Sequence, residues 1–191
     1  LIPVDENRIK ALADEEIIKF QNRRLRIIDA PGHANHHIVI FDEESESFFT
    51  GDAFGISYPE LTSNKGEFIF ISSTPTQFEP TKLASTVKRI MEAKPQNCFL
   101  THFSKITNIE RNGHELLKQI DEYVMIAQQS TRNGENQQDR IKKNLFELLY
   151  RKLSTTNLNI SRQEFGNLLD LDLSLNAQGL KYWNIKFNKQ V

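Results

Sequence analysis

The apolar residues of this chain change period along its length, and that change limits the architectures open to it. Up to about residue 60 the pattern is that of strands. The run from Arg24 to Ile28 begins with polar and apolar residues alternating, the period of a half-buried strand. His37 to Phe41 is a short apolar, β-branched run, as expected of a buried strand. The acidic stretch from Asp42 to Ser47 reads as a solvated hairpin loop, after which Phe48, Phe49 and Thr50 form a short strand running into Gly51 and Asp52. Phe68 to Ile71 reads as another strand. Pro80 suits the first turn of a helix, where its missing N–H costs nothing. In that helix Leu83, Val87, Ile90 and Met91 share one face. A strand from Cys98 to Thr101 follows and ends at His102. Strands, then helix, then strand predict an α/β layered domain.

From about His114 onward the period is helical. Leu116, Leu117, Ile120, Tyr123, Val124 and Ala127 mark one apolar face. The polar segment from Ser130 to Gln138, with Gly134, reads as a linker. A second helix carries Ile141, Leu145, Leu148, Leu149 and Leu153. Ser161 and Glu164 form a capping box for a third, holding Phe165, Leu168 and Leu169. A last helical stretch runs through Ala177, Leu180 and Trp183. The chain is thus expected to divide into an α/β part, residues 1–131, and a helical C-terminal extension, residues 132–191.

Bulk properties narrow the function. A chain of 191 residues with net charge −1 gives no electrostatic case for nucleic acid or membrane binding. Its single cysteine, Cys98, excludes an internal disulfide framework and is expected to be a buried, inert thiol. With no disulfide, signal peptide or long apolar run, a cytoplasmic location is the expectation. The sequence opens at Leu1 rather than methionine, which reads as a fragment, a trimmed form or the product of precursor processing.

Three places combine a metal-capable side chain with an abrupt strand end. They are His33, after Ala30, Pro31 and Gly32; Asp52, after Thr50 and Gly51; and His102, after Leu100 and Thr101. Strand ends project side chains into loops on a rigid scaffold, where sites are built. Glycine before His33 and before Asp52 permits turns that aim the next side chain. Imidazole with carboxylate suits Zn²⁺, and also iron or manganese. His36 and His114 read as solvated. Phe54, Tyr58 and Phe78 are pocket or packing residues, and no Walker-type phosphate loop is present.

Pro-Gly-His-(x)3-His, then Thr-Gly-Asp after a hairpin, then Thr-His after a helix and strand resembles the metallo-β-lactamase superfamily, and looks closest to its glyoxalase II-like hydrolase branch. The likeness spans roughly Arg24 to Phe103. It implies an αββα sandwich of which the second half is present. It also implies two divalent metal ions, with His33 on one, His102 on the other and Asp52 bridging them. His37 would stand behind the ligands or in the pocket, binding no ion directly, and Tyr58 would line the pocket. The family's His-x-His-x-Asp-His loop is missing: the histidines are His33, His36, His37, His102 and His114. Two ligands for each ion fall short of the three of a catalytic zinc site. The resemblance therefore implies a hydrolase of ester, thioester, lactone or similar bonds acting through a metal-bound hydroxide, of which this chain is a truncated and inactive portion.

The alternatives are a nuclease or di-iron oxidoreductase on the same fold, and a non-catalytic interaction or dimerisation module. A small-molecule substrate is expected, with no membrane or nucleic-acid partner. Because a sheet face carrying Leu25, Ile27, Ile38, Ile40, Phe68 and Phe70 would be left uncovered, the isolated chain is expected to form a homo-dimer, swap elements or aggregate.

Overall fold

The computed structural model describes residues 3–102, 105–130 and 136–188. Among the described residues, eight strands and four α-helices follow a short 3-10 turn at Glu6–Arg8. The strands are β1 (Ile17–Phe20), β2 (Arg23–Asp29), β3 (Ile38–Asp42), β4 (Ser47–Gly51), β5 (Ile56–Ser57), β6 (Ile69–Phe70), β7 (Asn97–Leu100) and β8 (Lys105–Ile106). The helices are α1 (Pro80–Glu92), α2 (Ile109–Gln129), α3 (Gln137–Leu153) and α4 (Arg162–Asn188). A six-stranded sheet has the order β1-β2-β3-β4-β7-β8, and β5 pairs with β6 apart from it.

Strand direction decides where the site forms. β2 is antiparallel to β3, and β3 to β4. β4 is parallel to β7, so the connection between them must cross over, and α1 lies in it. It follows that β2, β4 and β7 all run the same way, and their C-terminal ends reach one edge of the sheet. His33, Asp52 and His102 each follow one of these three ends.

One face of the sheet is buried. Val39, Phe48 and Cys98 are fully enclosed and share a core with Leu83, Val87 and Ile90 of α1. That core runs without a break through Leu116, Ile120 and Tyr123 of α2, Leu145 and Leu149 of α3, and Phe165, Leu169 and Leu180 of α4. On the other face, Ile27, Ile40, Phe49 and Phe99 stand opposite one another across four strands. Phe49 is 47% exposed and Ile38 42% exposed, so this face is open at its centre. Leu25 and Ile40 are partly exposed on it, while Ile27 is buried. Phe68 and Phe70 depart from expectation and are buried. They belong to the β5–β6 region, where Phe68 meets Phe165 of α4 edge-on at 6.1 Å and Phe70 stacks with Tyr58.

Three local expectations also change. The strand expected at residues 68–71 shrinks to the pair Ile69–Phe70. The acidic turn occupies residues 43–46, and Asp42 is completely buried, paired with Arg23 and accepting from Ser45 Oγ at 2.5 Å. The helices expected on either side of residue 170 are one helix, α4, because no glycine or proline in position to break it lies between Leu169 and Ala177. Its capping box forms: Ser161 N–H donates to Glu164 Oε2 at 3.0 Å and Glu164 N–H donates to Ser161 Oγ at 3.2 Å. The centre of the expected linker, residues 131–135, lies outside the described residues, as does Phe103.

Among the described residues no helix is long and apolar enough to cross a membrane. Cys98 is buried in β7, and burial pushes its thiol up to about 12. At pH 8 only roughly one part in ten thousand would be thiolate. Cys98 is therefore expected to resist Ellman's reagent until the sheet opens, which time-resolved absorbance with and without denaturant would check. Prompt reaction in the native protein would contradict this burial.

Candidate metal centre

The loop from residue 30 to 37 carries His33 and is pinned to α1. Thr86 Oγ1 donates to Pro31 C=O at 2.8 Å, and Glu79 N–H donates to Gly32 C=O at 2.8 Å. Gly32 has φ +130°, and a Cβ there would lie 2.2 Å from the Leu83 backbone nitrogen. Only glycine allows both the turn and the approach. His33 then points its ring between residues 71–74 and Asp52. Its Nδ1 lies 3.0 Å from Ser72 C=O. A carbonyl only accepts, so Nδ1 carries a proton, and in the neutral ring Nε2 presents a lone pair.

Asp52 follows Gly51, whose φ is +52° and whose missing Cβ leaves room for the His37 ring, 2.7 Å from where that Cβ would be. Asp52 N–H donates to His37 Nε2 at 3.4 Å. This nitrogen is thereby occupied, and His37 braces the Asp52 backbone. Burial first, and then neighbouring His33, push the His37 imidazole below its ordinary range, so it is neutral and able to accept.

His33 Nε2 lies 3.7 Å from Asp52 Oδ2, and His102 Nε2 lies 3.4 Å from Asp52 Oδ1. The three side chains expected to share a site are thus side by side at one sheet edge. Two ligands of a tetrahedral zinc with bonds of ~2.0–2.1 Å stand roughly 3.3 Å apart. Both separations are close to that value, and both exceed an ordinary hydrogen bond. Among the described residues nothing donates a hydrogen bond to the buried Asp52 Oδ1, a costly arrangement for a carboxylate oxygen without a cation. The donors therefore fit ions held between imidazole and carboxylate, but each ion would have two of them. Among the described residues no group of three or more His, Cys, Asp or Glu side chains is gathered around one point. His36 and His114 are exposed and stand apart from these contacts.

Tyr58 enters through a partner that the sequence did not reveal. Its hydroxyl donates to Asp172 Oδ2 of α4 at 2.6 Å, and its ring stacks on Phe70 at 6.1 Å. Burial raises the Asp172 carboxyl above its usual range, while the Tyr58 hydrogen bond and the charge of His102 oppose that rise. Asp172 therefore lies within electrostatic reach of His102, and α4 passes beside the site. In a helix, an Asp flanked by leucines reads as a solvated position. Its partner is 114 residues away, and no local signal marks it. A cleft of about 870 Å³ lined by Met91, Lys94, Pro95 and Asn108 contains none of these residues.

No family model and no curated protein sequence matches the chain. Solved structures do. An archaeal metallo-β-lactamase superfamily protein from Sulfolobus tokodaii superposes with TM-score 0.57 at 21% identity, over 93% of this chain and 54% of its own. A metallo-β-lactamase family protein from Thermus thermophilus gives 0.52 at 16%, over 92% and 49%. A β-lactamase domain protein from Burkholderia ambifaria gives 0.58 at 14%, over 98% and 49%. The chain spans about half the length of these proteins, and at such identities the likeness is one of fold. The chain, an α/β sheet with C-terminal helices, has the fold of the metallo-β-lactamase superfamily.

Proposed function

We propose that His33, Asp52 and His102 are one half of a dinuclear metallohydrolase site. In this reading Asp52 would hold two divalent ions, one together with His33 and the other together with His102. Zinc suits the donors, with iron or manganese as substitutes. The remaining ligands would come from protein outside this sequence, so the chain alone is inactive. The reaction is hydrolysis of an ester, thioester, lactone or similar bond, as in the glyoxalase II-like branch. The observation that carries the reading is the placement of the two Asp52 oxygens, each facing a different imidazole Nε2 at 3.7 and 3.4 Å.

The ions, when bound, supply an activated water and polarise the scissile group. The protein's part is to hold the donors. Ser72 C=O keeps the His33 lone pair turned toward Asp52, and His37 holds the backbone from which the bridging carboxylate extends. Tyr58 and Asp172 stand at the edge of the site, where a substrate would meet a hydroxyl already oriented by a carboxylate.

The test uses the complete protein, with elemental analysis beside turnover on a panel of ester, thioester and lactone substrates. Asp52→Ala is expected to lose bound metal and to cut turnover by more than the ~10–100-fold typical of residues that only support a ligand. Combining it with His33→Ala should cost little more, because the ions act as a unit. The 191-residue chain alone should turn over nothing on the panel, with or without added zinc. Full metal occupancy and full activity in Asp52→Ala would sink the reading.

A further inference from the structure

Residues 71–74 follow β6 without regular secondary structure and are hydrogen-bonded both to the His33 loop and to helices α2 and α4. Residues 71 and 73 address the helices, and residues 72 and 74 address His33. Each side is filled. Toward the helices, Ile71 N–H donates to Gln119 Oε1 at 3.2 Å, and Ile71 C=O accepts from Asn176 Nδ2 at 3.1 Å. Ser73 N–H donates to Asn176 Oδ1 at 2.7 Å, and Ser73 Oγ donates to Asn176 C=O at 3.3 Å. Toward the site, Ser72 C=O meets His33 Nδ1 at 3.0 Å, and Thr74 Oγ1 donates to His33 C=O at 2.6 Å.

Asn176 thus takes the place of a neighbouring strand. A carboxamide carries a donor and an acceptor side by side, which suits a C=O and the N–H two residues on. An aspartate at this position would set its second oxygen against Ile71 C=O, and a leucine would leave both groups unpaired. The side chain is 2% exposed, so water does not substitute. One turn further along α4, Gly179 lets the helix touch the segment: a Cβ there would lie 2.5 Å from Thr74 C=O.

We propose that Asn176 is a positioning residue for His33, acting through Ser72. By fixing the peptide groups on either side, it aims Ser72 C=O at His33 Nδ1, sets the tautomer, and leaves Nε2 bare toward Asp52. The proposal rests on the metallohydrolase reading for its purpose. Its test does not, because the tautomer is read in metal-free protein.

The experiment is long-range ¹H–¹⁵N correlation of the histidine rings in the full chain without metal. In the unsubstituted protein His33 should show a protonated Nδ1 and a bare Nε2. In Asn176→Ala the His33 nitrogens should move toward the averaged shifts of mixed tautomers, with His102 unchanged. Asn176→Asp keeps the volume and the acceptor for Ser73 N–H, and serves if the alanine variant does not fold; its His33 pattern should move the same way. Leu148→Ala, a core truncation away from the segment, should leave His33 as it was. A protonated Nε2 in the unsubstituted protein would overturn the proposal. So would an unaltered His33 in a folded Asn176 variant whose Ser73 amide has shifted. In the complete protein, zinc affinity of Asn176→Ala should fall ~10–100-fold. If no protein form binds zinc while the tautomer responds as described, the metal reading fails and the positioning role stands.

Discussion

Gly32→Ala is expected to destabilise the chain by roughly 3–5 kcal/mol, summing the cost of a left-handed backbone for a non-glycine residue and that of overpacking. The position combines φ +130° with a Cβ site 2.2 Å from the Leu83 nitrogen and 2.3 Å from its Cα. These are backbone atoms in a helix, so no rotamer change relieves the contact. Either α1 moves away from the His33 loop or the loop abandons its turn. For a chain of this length the midpoint of thermal unfolding should fall by roughly 6–20 °C. Gly166→Ala in α4 is the matched control. Its Cβ would meet Phe146 at an ordinary 3.4 Å, and helix propensity favours alanine by ~1 kcal/mol. Calorimetry on the two variants should show opposite signs. A Gly32→Ala variant that melts with the parent would mean that α1 does not sit on this loop.

Phe165→Ala should cost about 3–5 kcal/mol, the range for emptying a fully buried aromatic site. Its ring is enclosed by Phe68 at 6.1 Å, Phe146 at 5.8 Å and Tyr150 at 5.5 Å, from β5–β6 and α3. Because Phe68 is in the sheet half, the loss should be felt by the whole chain. Two probes on different elements decide this. Trp183 fluorescence reports α4, and exposure of the Cys98 thiol reports β7. Their denaturation midpoints should coincide in the parent and move together in the variant. Should Trp183 lose its native signal while Cys98 stays protected, the helices would be a separate unit with a boundary near residue 131.

What is readable in the sequence is local. Pro80 opens α1, Ser161 and Glu164 cap α4, and glycines precede His33 and Asp52 because each of those turns demands one. The three metal-capable residues can be ordered along strands before any sheet is known. Their meeting at one edge depends on the parallel pairing of β4 with β7, which no single strand encodes. Two further site residues leave no trace. Asp172 and Asn176 sit in a helix whose exposed Leu171 and Leu175 blur the single-face pattern, so the stretch reads as two helices. Their partners, Tyr58 and Ile71, are 114 and 105 residues away. Phe68 and Phe70 fall on the open sheet face in a sequence reading because a two-residue strand carries too little periodicity to show that it belongs elsewhere.

The common heading of β2, β4 and β7 divides the labour of the molecule. Each of the three proposed ligands, His33, Asp52 and His102, follows a strand, and the cross-strand pairs that stabilise the sheet lie behind them. Changes in the loops can then alter what is recognised while the pairing stays as it is. Asn35 and His36, exposed in the loop that carries His33, are the places where variation is cheapest. A scaffold arranged in this way can vary such positions long before it has to renegotiate its core.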